Sequence, residues 1–508
     1  MAVTVYSLHL SPLEGHMPRT YARQIYCFST TNSQAIETLS EGLAGLAQDV
    51  PYVLSRIISD TPGTASSGAV ISAPYYRPED IFSCHDLSGI VDYATLKAGH
   101  FAPEVFLTPG IVPPDTIPPY PEPPAIFLAR ASLVNGGLIL CVAVHHLVTD
   151  ITGYDALLKI WASHCRKEDV GFDRSWMDRS PLYSSSQSLR INNSHPMPMP
   201  DLLHTKIKED AVRGTDLPST AKGKKDYQTG VFYFPRQHLR ALKDATNAHI
   251  ALQEPGSWVS TSDVLSALLW SVIVRAQDHP YLRNGRVTRQ SSRISTLSFP
   301  VQFRSVLRPA LPRNFLGAAF LMTSARVPHE DVCRVSDFRS LSISLTHDQE
   351  PGAESHVNNA GMQEPIDFVD ISALANVALA IRRSVHGIDD ATVRGVLDYL
   401  EAHPRPNPEA RLVLGPPRCE PGGSNTSVVS WADQCIYELD WGHAIGRCDA
   451  VRLAKMTVER NPIILPHIPG LNGDDGGIEV IMSYEEDIMQ RLTESHVMKR
   501  LATLRCLS

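Results

Sequence analysis

The chain has no C-x-x-C pair among its nine cysteines, which are odd in number and scattered over positions 27, 84, 141, 165, 333, 419, 435, 448 and 506. That distribution argues against a structural zinc site and predicts reduced thiols. None has the local basic setting that lowers a thiol pKa, so catalysis by cysteine is not expected, and Cys141 inside an apolar stretch reads as a small hydrophobe. A dense basic block is also missing: 46 basic residues face 54 acidic ones, for a formal charge of -8, which speaks against nucleic acid as a partner. No apolar run approaches the roughly 20 residues that span a bilayer. The start, Met1-Ala2-Val3-Thr4-Val5, lacks a basic region followed by an apolar segment, so a cytoplasmic protein with no membrane partner is expected. No periodic repeat is evident.

What is present describes an ordinary globular protein: 508 residues, 43% hydrophobic, 20% charged, with 38 prolines. That length exceeds one typical domain. The pattern reads as mixed α/β. Residues 125–131 and 138–144 form a hairpin around Asn135-Gly136-Gly137, whose residues tolerate positive φ. Residues 150–164 place Ile151, Tyr154, Leu157, Leu158 and Trp161 at helical spacing, with Thr149 or Asp150 as cap. Between about 184 and 228 the composition shifts to Ser, Asn, Pro, Met and Lys, which predicts a crossover. A second α/β unit follows, with a strand at 231–234, helices at 236–248 and 260–276, loops at 345–366 and 404–425, strands at 427–439 and 478–484, and a final helix near 485–502. The expected division is a first domain over 1–205, a linker over 206–228 and a second domain over 229–508.

The strand and helix of the first unit meet at His145-His146, and His146-Leu147-Val148-Thr149-Asp150 is the feature with chemical content. An imidazole with an ordinary pKa of about 6.5 is largely neutral at pH 7 and can take a proton from a hydroxyl. Its place at a strand-to-helix turn suits a group held by rigid elements. The same spacing recurs at His386-Gly387-Ile388-Asp389-Asp390, but in a polar stretch that reads as solvated loop. On the residues alone a second reading of the first copy stands beside the catalytic one: both histidines are satisfied core residues and Asp150 merely caps a helix. Adjacent His145 and His146 point to opposite faces, and no third ligand is indicated, so no metal site is expected. Asp440-Trp441-Gly442 closes an apparent strand and reads as a tight turn with a packed aromatic. Trp431 can donate its indole N–H into a pocket, though packing alone would also explain it.

Taken in order, these segments resemble the BAHD acyltransferases, and within them the fungal branch typified by trichothecene 3-O-acetyltransferase. Leu10-Ser11-Pro12-Leu13-Glu14 and Met17-Pro18-Arg19 are similar to the family's opening strand, and the segment through Leu43 and Leu46 to Val50-Pro51 to its first helix. His146-Leu147-Val148-Thr149-Asp150 matches the catalytic motif. Ser262 through Trp270 resembles the central helix, and Phe303-Arg304 through Leu311-Pro312-Arg313-Asn314-Phe315-Leu316-Gly317 an Arg…Pro…Asn-Tyr-x-Gly segment. Ser430-Trp431, Tyr437 and Asp440-Trp441-Gly442 resemble the Ser-Trp…Asp-Phe-Gly region. The resemblance implies two chloramphenicol-acetyltransferase-like α/β domains, with mixed sheets flanked by helices and a solvent channel between them.

It also implies roles: His146 as general base, Asp150 turned away to pair with Arg304, Trp431 near the developing oxyanion, and Asp440, Trp441 and Gly442 as structural support. An acyl-coenzyme A such as acetyl-CoA would be co-substrate rather than a tightly bound cofactor, a small-molecule alcohol the acceptor, and the enzyme a monomer. Alternatives with the same fold are a condensation-type transferase drawing on a carrier-protein thioester, a His-driven intramolecular cyclisation, and a catalytically inactive metabolite-binding protein. Lys222, Lys224 and Lys225 read as solvated linker charge before they read as phosphate contacts. Three positions depart from the family pattern: Ile151 follows the motif Asp where Gly is usual, with the glycine at 153; Trp441 replaces Phe and no second Trp-Gly pair follows; and Ala318 follows Gly317 in place of Asn.

Overall fold

The computed structural model describes residues 6–59, 69–73, 75–117, 119, 121, 123–183, 203–207, 227–283, 293–337, 368–402, 410–414, 425–453, 460–470 and 476–508. Its first sheet is organised by the expected hairpin. Strands β6 (Phe127–Val134) and β7 (Gly137–His145) pair antiparallel from Phe127↔Val144 to Val134↔Gly137, and Gly136 turns at φ +79°. Such a φ is open to glycine without the steric cost a Cβ would add. β2 (Tyr21–Phe28) lies antiparallel on the far side of β7, and β5 (Phe82–Asp86) runs parallel to β6. Leu138, Leu140, Val142 and Val144 face one way, as alternation along a strand requires, and pack under α1 (Ala35–Asp49) and α2 (Ile151–Cys165). Ile139 and Cys141 face a separate apolar layer under residues 87–111.

The second sheet is centred on β9 (Tyr227–Pro235), flanked by β17 (Gly477–Glu485) and β18 (Thr503–Leu507), with β16 (Ile463–Ile468) and β14 (Val429–Ser430) beyond β17. Helices α3 (Arg236–Gln253), α4 (Thr261–Arg283) and α5 (Ile371–His386) supply most of its core, where Leu265, Leu269 and Trp270 are buried with Phe232, Val480 and Met482. Three smaller sheets complete the mixed α/β architecture: β1 (Tyr6–His9) with β4 (Ala69–Ala73) and β3 (Arg56–Ser59), β10 (Ile294–Gln302) between β11 (Phe320–Pro328) and β13 (Asn425–Ser427), and β8 (Leu203–Ile207) with β12 (Ala410–Leu414).

The two large sheets do not divide the chain at the linker. Strand β15 (Ala450–Leu453) leaves the second half and adds to the edge of the first sheet, pairing antiparallel with β2 from Ala450↔Cys27 to Leu453↔Gln24. Ile436, Tyr437, Trp441, Ala444 and Ile445 precede it into the first core. Arg452 on β15 and Glu479 on β17 then join the sheets through a buried ion pair of 2.6 Å. The boundary expected at 205 falls inside β8, which pairs with a strand from the stretch read as the 404–425 loop.

Other sequence readings need local correction. Residues 10–14 form a turn leading into a short 3-10 helix, Glu14–His16, instead of a strand. The strand read over 427–439 stops at Ser430, because the backbone amides beyond it bond locally: Gln434 N to Trp431 O at 3.0 Å and Glu438 N to Cys435 O at 3.0 Å. The final helix is two, α7 (Glu486–Glu494) and α8 (His496–Leu501), once α6 (Asp390–Ala402) is counted, and β18 follows them. Lys222, Lys224, Lys225 and the 345–366 stretch lie outside the described residues. Among the described residues no helix is long and apolar enough to cross a membrane.

Candidate active site

β7 delivers the two histidines and then stops, because the chain must turn into α2. His145 continues the strand pairing with Tyr21 and is buried, its ring edge-on to Tyr21 at 5.0 Å, and its Nδ1 accepts from Leu147 N at 3.3 Å. Burial, then the neighbouring His146 and Arg19, hold its pKa down to about 3. A ring that stays neutral and packed at any working pH is structural.

His146 is presented differently. Its backbone N–H donates to Thr20 O at 2.8 Å, which fixes the residue to the start of β2. The side chain is partly exposed. Nδ1 is buried and closes no hydrogen bond, while the residue as a whole keeps some exposure. A proton on Nδ1 leaves the Nε2 lone pair free to accept, which is the arrangement a general base needs. Burial lowers the His146 pKa below 6.5, against the opposing pull of its own carbonyl, Asp150 and Thr149.

Asp150 points away from the imidazole and is 5% exposed. Its Oδ1 accepts from Gly153 N at 2.9 Å, capping α2, so the capping reading and the ion-pair reading are both satisfied by one carboxylate. Arg304, 3% exposed, meets it side-on with Nη1 to Oδ2 at 2.8 Å and Nη2 to Oδ1 at 2.7 Å. Nη2 also reaches Phe315 O at 3.0 Å and Gly317 O at 2.9 Å, while Ala319 N donates to Asp150 Oδ2 at 2.8 Å. Burial by itself would raise the Asp150 carboxyl; the guanidinium charge and hydrogen bonds of Arg304, with the Gly153 and Ala319 amides, hold it below its usual 3.8 instead. At neutral pH the pair is therefore charged while His146 is neutral.

The displaced glycine has a steric reason. A Cβ on Gly153 would stand 2.4 Å from Thr149 Oγ1 and 2.6 Å from Leu316 O, so the first turn of α2 touches backbone of the 315–319 loop. Ile151 next to the motif is only partly buried and meets no such constraint. Gly153→Ala is expected to cost about 1–3 kcal/mol, since a backbone oxygen must move to admit the methyl; urea denaturation showing a change under about 0.5 kcal/mol would contradict this packing.

The remaining predicted residues lie apart. Trp441 is fully buried between Trp161 at 5.4 Å and Phe28 at 6.0 Å, while Asp440 Oδ1 accepts from Gly442 N at 2.8 Å and Gly442 turns at φ +88°. Arg166 at the end of α2 donates to Asp440 O. None of the three touches His146. Trp431 is partly buried against the apolar face of the second sheet formed by Val231, Ile463, Leu465 and Ile481, and its indole N–H makes no hydrogen bond among the described residues. No hydrogen bond or ring contact joins it to His146 among the described residues. The second His-x-x-x-Asp copy sits between α5 and α6, where Asp390 Oδ1 accepts from Arg308 N at 2.7 Å, a local structural role.

Two groups absent from the sequence reading as site residues complete the arrangement. Glu14 and Arg179 are both buried, and they form a second ion pair, 3.3 Å from Arg179 Nη2 to Glu14 Oε1, beside the first. Glu14 lay in a segment read as strand, and Arg179 in a polar stretch after α2 with no apolar periodicity, so nothing in the sequence marked either as buried.

A profile of the Transferase family matches residues 110–498, and one of a trichothecene 3-O-acetyltransferase-like N-terminal domain matches residues 20–165. Among curated proteins the chain is 26% identical to O-acetyltransferase astG of Aspergillus oryzae over 90% of this chain and 94% of that one. It is 26% identical to trichothecene 3-O-acetyltransferase TRI101 of Fusarium sporotrichioides over 90% of this chain and 87% of that one. Among solved structures, F. graminearum TRI101 complexed with coenzyme A and deoxynivalenol superposes with a TM-score of 0.70 at 17% identity, covering 99% of this chain and 100% of that one. At that identity the likeness speaks for a common fold.

Proposed function

The chain belongs to the Transferase family, and on that premise we propose that it is an acyl-CoA-dependent O-acyltransferase, using acetyl-CoA above all, that acts on a hydroxyl of a fungal secondary metabolite. The observation that carries this reading is His146: an imidazole held neutral by burial yet partly exposed, on a turn locked from behind by Asp150 and Arg304. The names of the relatives, O-acetyltransferases over nearly their whole lengths, support the donor and the acceptor class.

The chemistry follows from these groups. With an alcohol at Nε2, the ring takes the hydroxyl proton as oxygen attacks the thioester carbonyl. The tetrahedral oxyanion then collapses, the carbon–sulfur bond breaks, and the imidazolium returns its proton to the departing thiolate. Acyl group and proton are thus both accounted for without an acyl-enzyme. Asp150 does not touch the acceptor; it sets the turn that aims the ring. Trp431 is our candidate donor to the oxyanion, by its match to the family's Ser-Trp segment.

The test is incubation of the full chain with labelled acetyl-CoA and a panel of alcohols or extracts, read by mass analysis. A product carrying one added acetyl group is expected. Transfer only from an acyl-loaded carrier protein, a cyclised product with no acyl gain, or an acceptor bound and never turned over would each overturn the reading. The pH dependence is equally specific. Because His146 is held below 6.5, the base is unprotonated at and above that pH and is lost only as pH falls through the lowered value. The acid limb of kcat/KM is therefore expected to have its midpoint below 6.5, and a midpoint above it would contradict the burial of this ring.

A further inference from the structure

The turn that carries His146 is gripped at a second point that the Asp150–Arg304 pair does not reach. Arg179 Nη2 donates to Val148 O at 3.2 Å, in the middle of His146-Leu147-Val148-Thr149-Asp150, and Nη1 donates to Met177 O at 2.8 Å. Its guanidinium lies between the rings of Tyr52 and Phe315, 5.5 and 5.4 Å from their centroids. The carboxylate opposite it, Glu14, accepts from Ser11 N at 2.8 Å and from Ala318 N at 3.2 Å. Ala318 and Ala319 are thus consecutive amides, one held by Glu14 and the next by Asp150. A Cβ on Gly317 would come within 2.7 Å of Glu14 Oε1, so the loop closes on that carboxylate with no side chain between them.

We propose that Glu14 and Arg179 are positioning residues for the transfer reaction, holding the base-bearing turn through Val148 O while the 315–319 loop is fixed from the opposite side through Ala318 N. This rests on His146 being the base. The physical case is one of leverage. A backbone carbonyl two residues from the imidazole is fixed by a planar fork that is itself immobilised by a carboxylate, two rings and a second carbonyl. An ion pair buried this deeply adds little net stability over apolar residues of like volume, which leaves geometry as what it supplies. Displacement of a catalytic group by about 1 Å can cost on the order of 100-fold in rate.

Glu14→Met combined with Arg179→Met tests the proposal, because replacing both charges avoids leaving either one buried alone. The double variant is expected to remain folded with a lowered Tm, because Val148 O, Met177 O, Ser11 N and Ala318 N lose partners, to keep both KM values within about threefold, and to lose at least about tenfold in kcat. Arg179→Lys keeps the charge but cannot serve Glu14, Val148 O and Met177 O together, and the same loss in kcat is expected of it. Wild-type kcat in either folded variant would overturn the proposal.

A second readout needs no substrate. The C2-proton titration of His146, assigned by comparison with His146→Gln, should move up towards 6.5 when the turn loosens and water reaches the ring. The charged or titratable groups that act on that ring, Asp150 and His145, are untouched by these changes. An unmoved titration in the double variant would count against the brace even if no alcohol is ever acylated, in which case the functional reading fails on its own.

Discussion

Replacing His146 by alanine is expected to lower turnover at least about 100-fold while the protein stays folded. The two halves of that expectation come from the same geometry. The ring is partly exposed and neither nitrogen closes a hydrogen bond, so truncation orphans no buried partner and opens only a partial cavity. The chemistry, by contrast, loses the proposed base, at a cost of about 2.7 kcal/mol or more in barrier height. Turnover with acetyl-CoA and an established acceptor, beside a thermal melt, measures both. Activity within tenfold of wild type in a folded variant would assign the base elsewhere. His145 cannot substitute: it is buried, accepts from Leu147 N, and is too weakly basic, at about 3, to gain a proton from an alcohol.

The second large effect is on stability. Arg304→Met leaves the Asp150 carboxylate buried with only two amides to hold it, and strips donors from Phe315 O and Gly317 O as well. Breaking a buried pair at one partner costs about 3–5 kcal/mol. Asp150→Leu, by the converse loss, strands the guanidinium. Combining the two removes both charges, so the double variant should be more stable than the sum of the singles predicts, by about 1–3 kcal/mol of coupling. Urea titrations of the four proteins would reveal it, and strict additivity would mean that the pair does not act as a unit. Because the Asp150 pKa is lowered, its contribution is present above about pH 3.8 and is lost as pH falls through the still lower folded value. Neutral pH, where His146 is unprotonated, lies on the stable side.

Much of this site was legible before any coordinates. The hairpin and α2 follow from periodicity, and capping by Asp150 follows from its place before Ile151; the order of motifs named the family and paired Asp150 with Arg304. What escaped was set by long-range contact. Glu14 is a carboxylate in a proline-flanked segment, and only the arrival of Arg179 and Ala318 N, 165 and 304 residues away, makes its burial tolerable. The 431–439 stretch has strand-forming residues, but its amides are satisfied by neighbouring carbonyls and by Asp155, which accepts from Cys435 N at 3.2 Å across the sheets. Asp440-Trp441-Gly442 reads in the sequence as a tight turn with a packed aromatic, but not as an anchor for the opposite half, because a sequence does not say whose core a tryptophan will enter.

That anchor bears on how large molecules reach the base. With β15 stitched into the edge of β2, and Arg452 clasped by Glu479, the two lobes are laced together and cannot swing open like a clamshell without pulling a strand from a sheet. Any movement that admits a substrate is therefore expected in loops outside the paired strands, not in a parting of the two lobes.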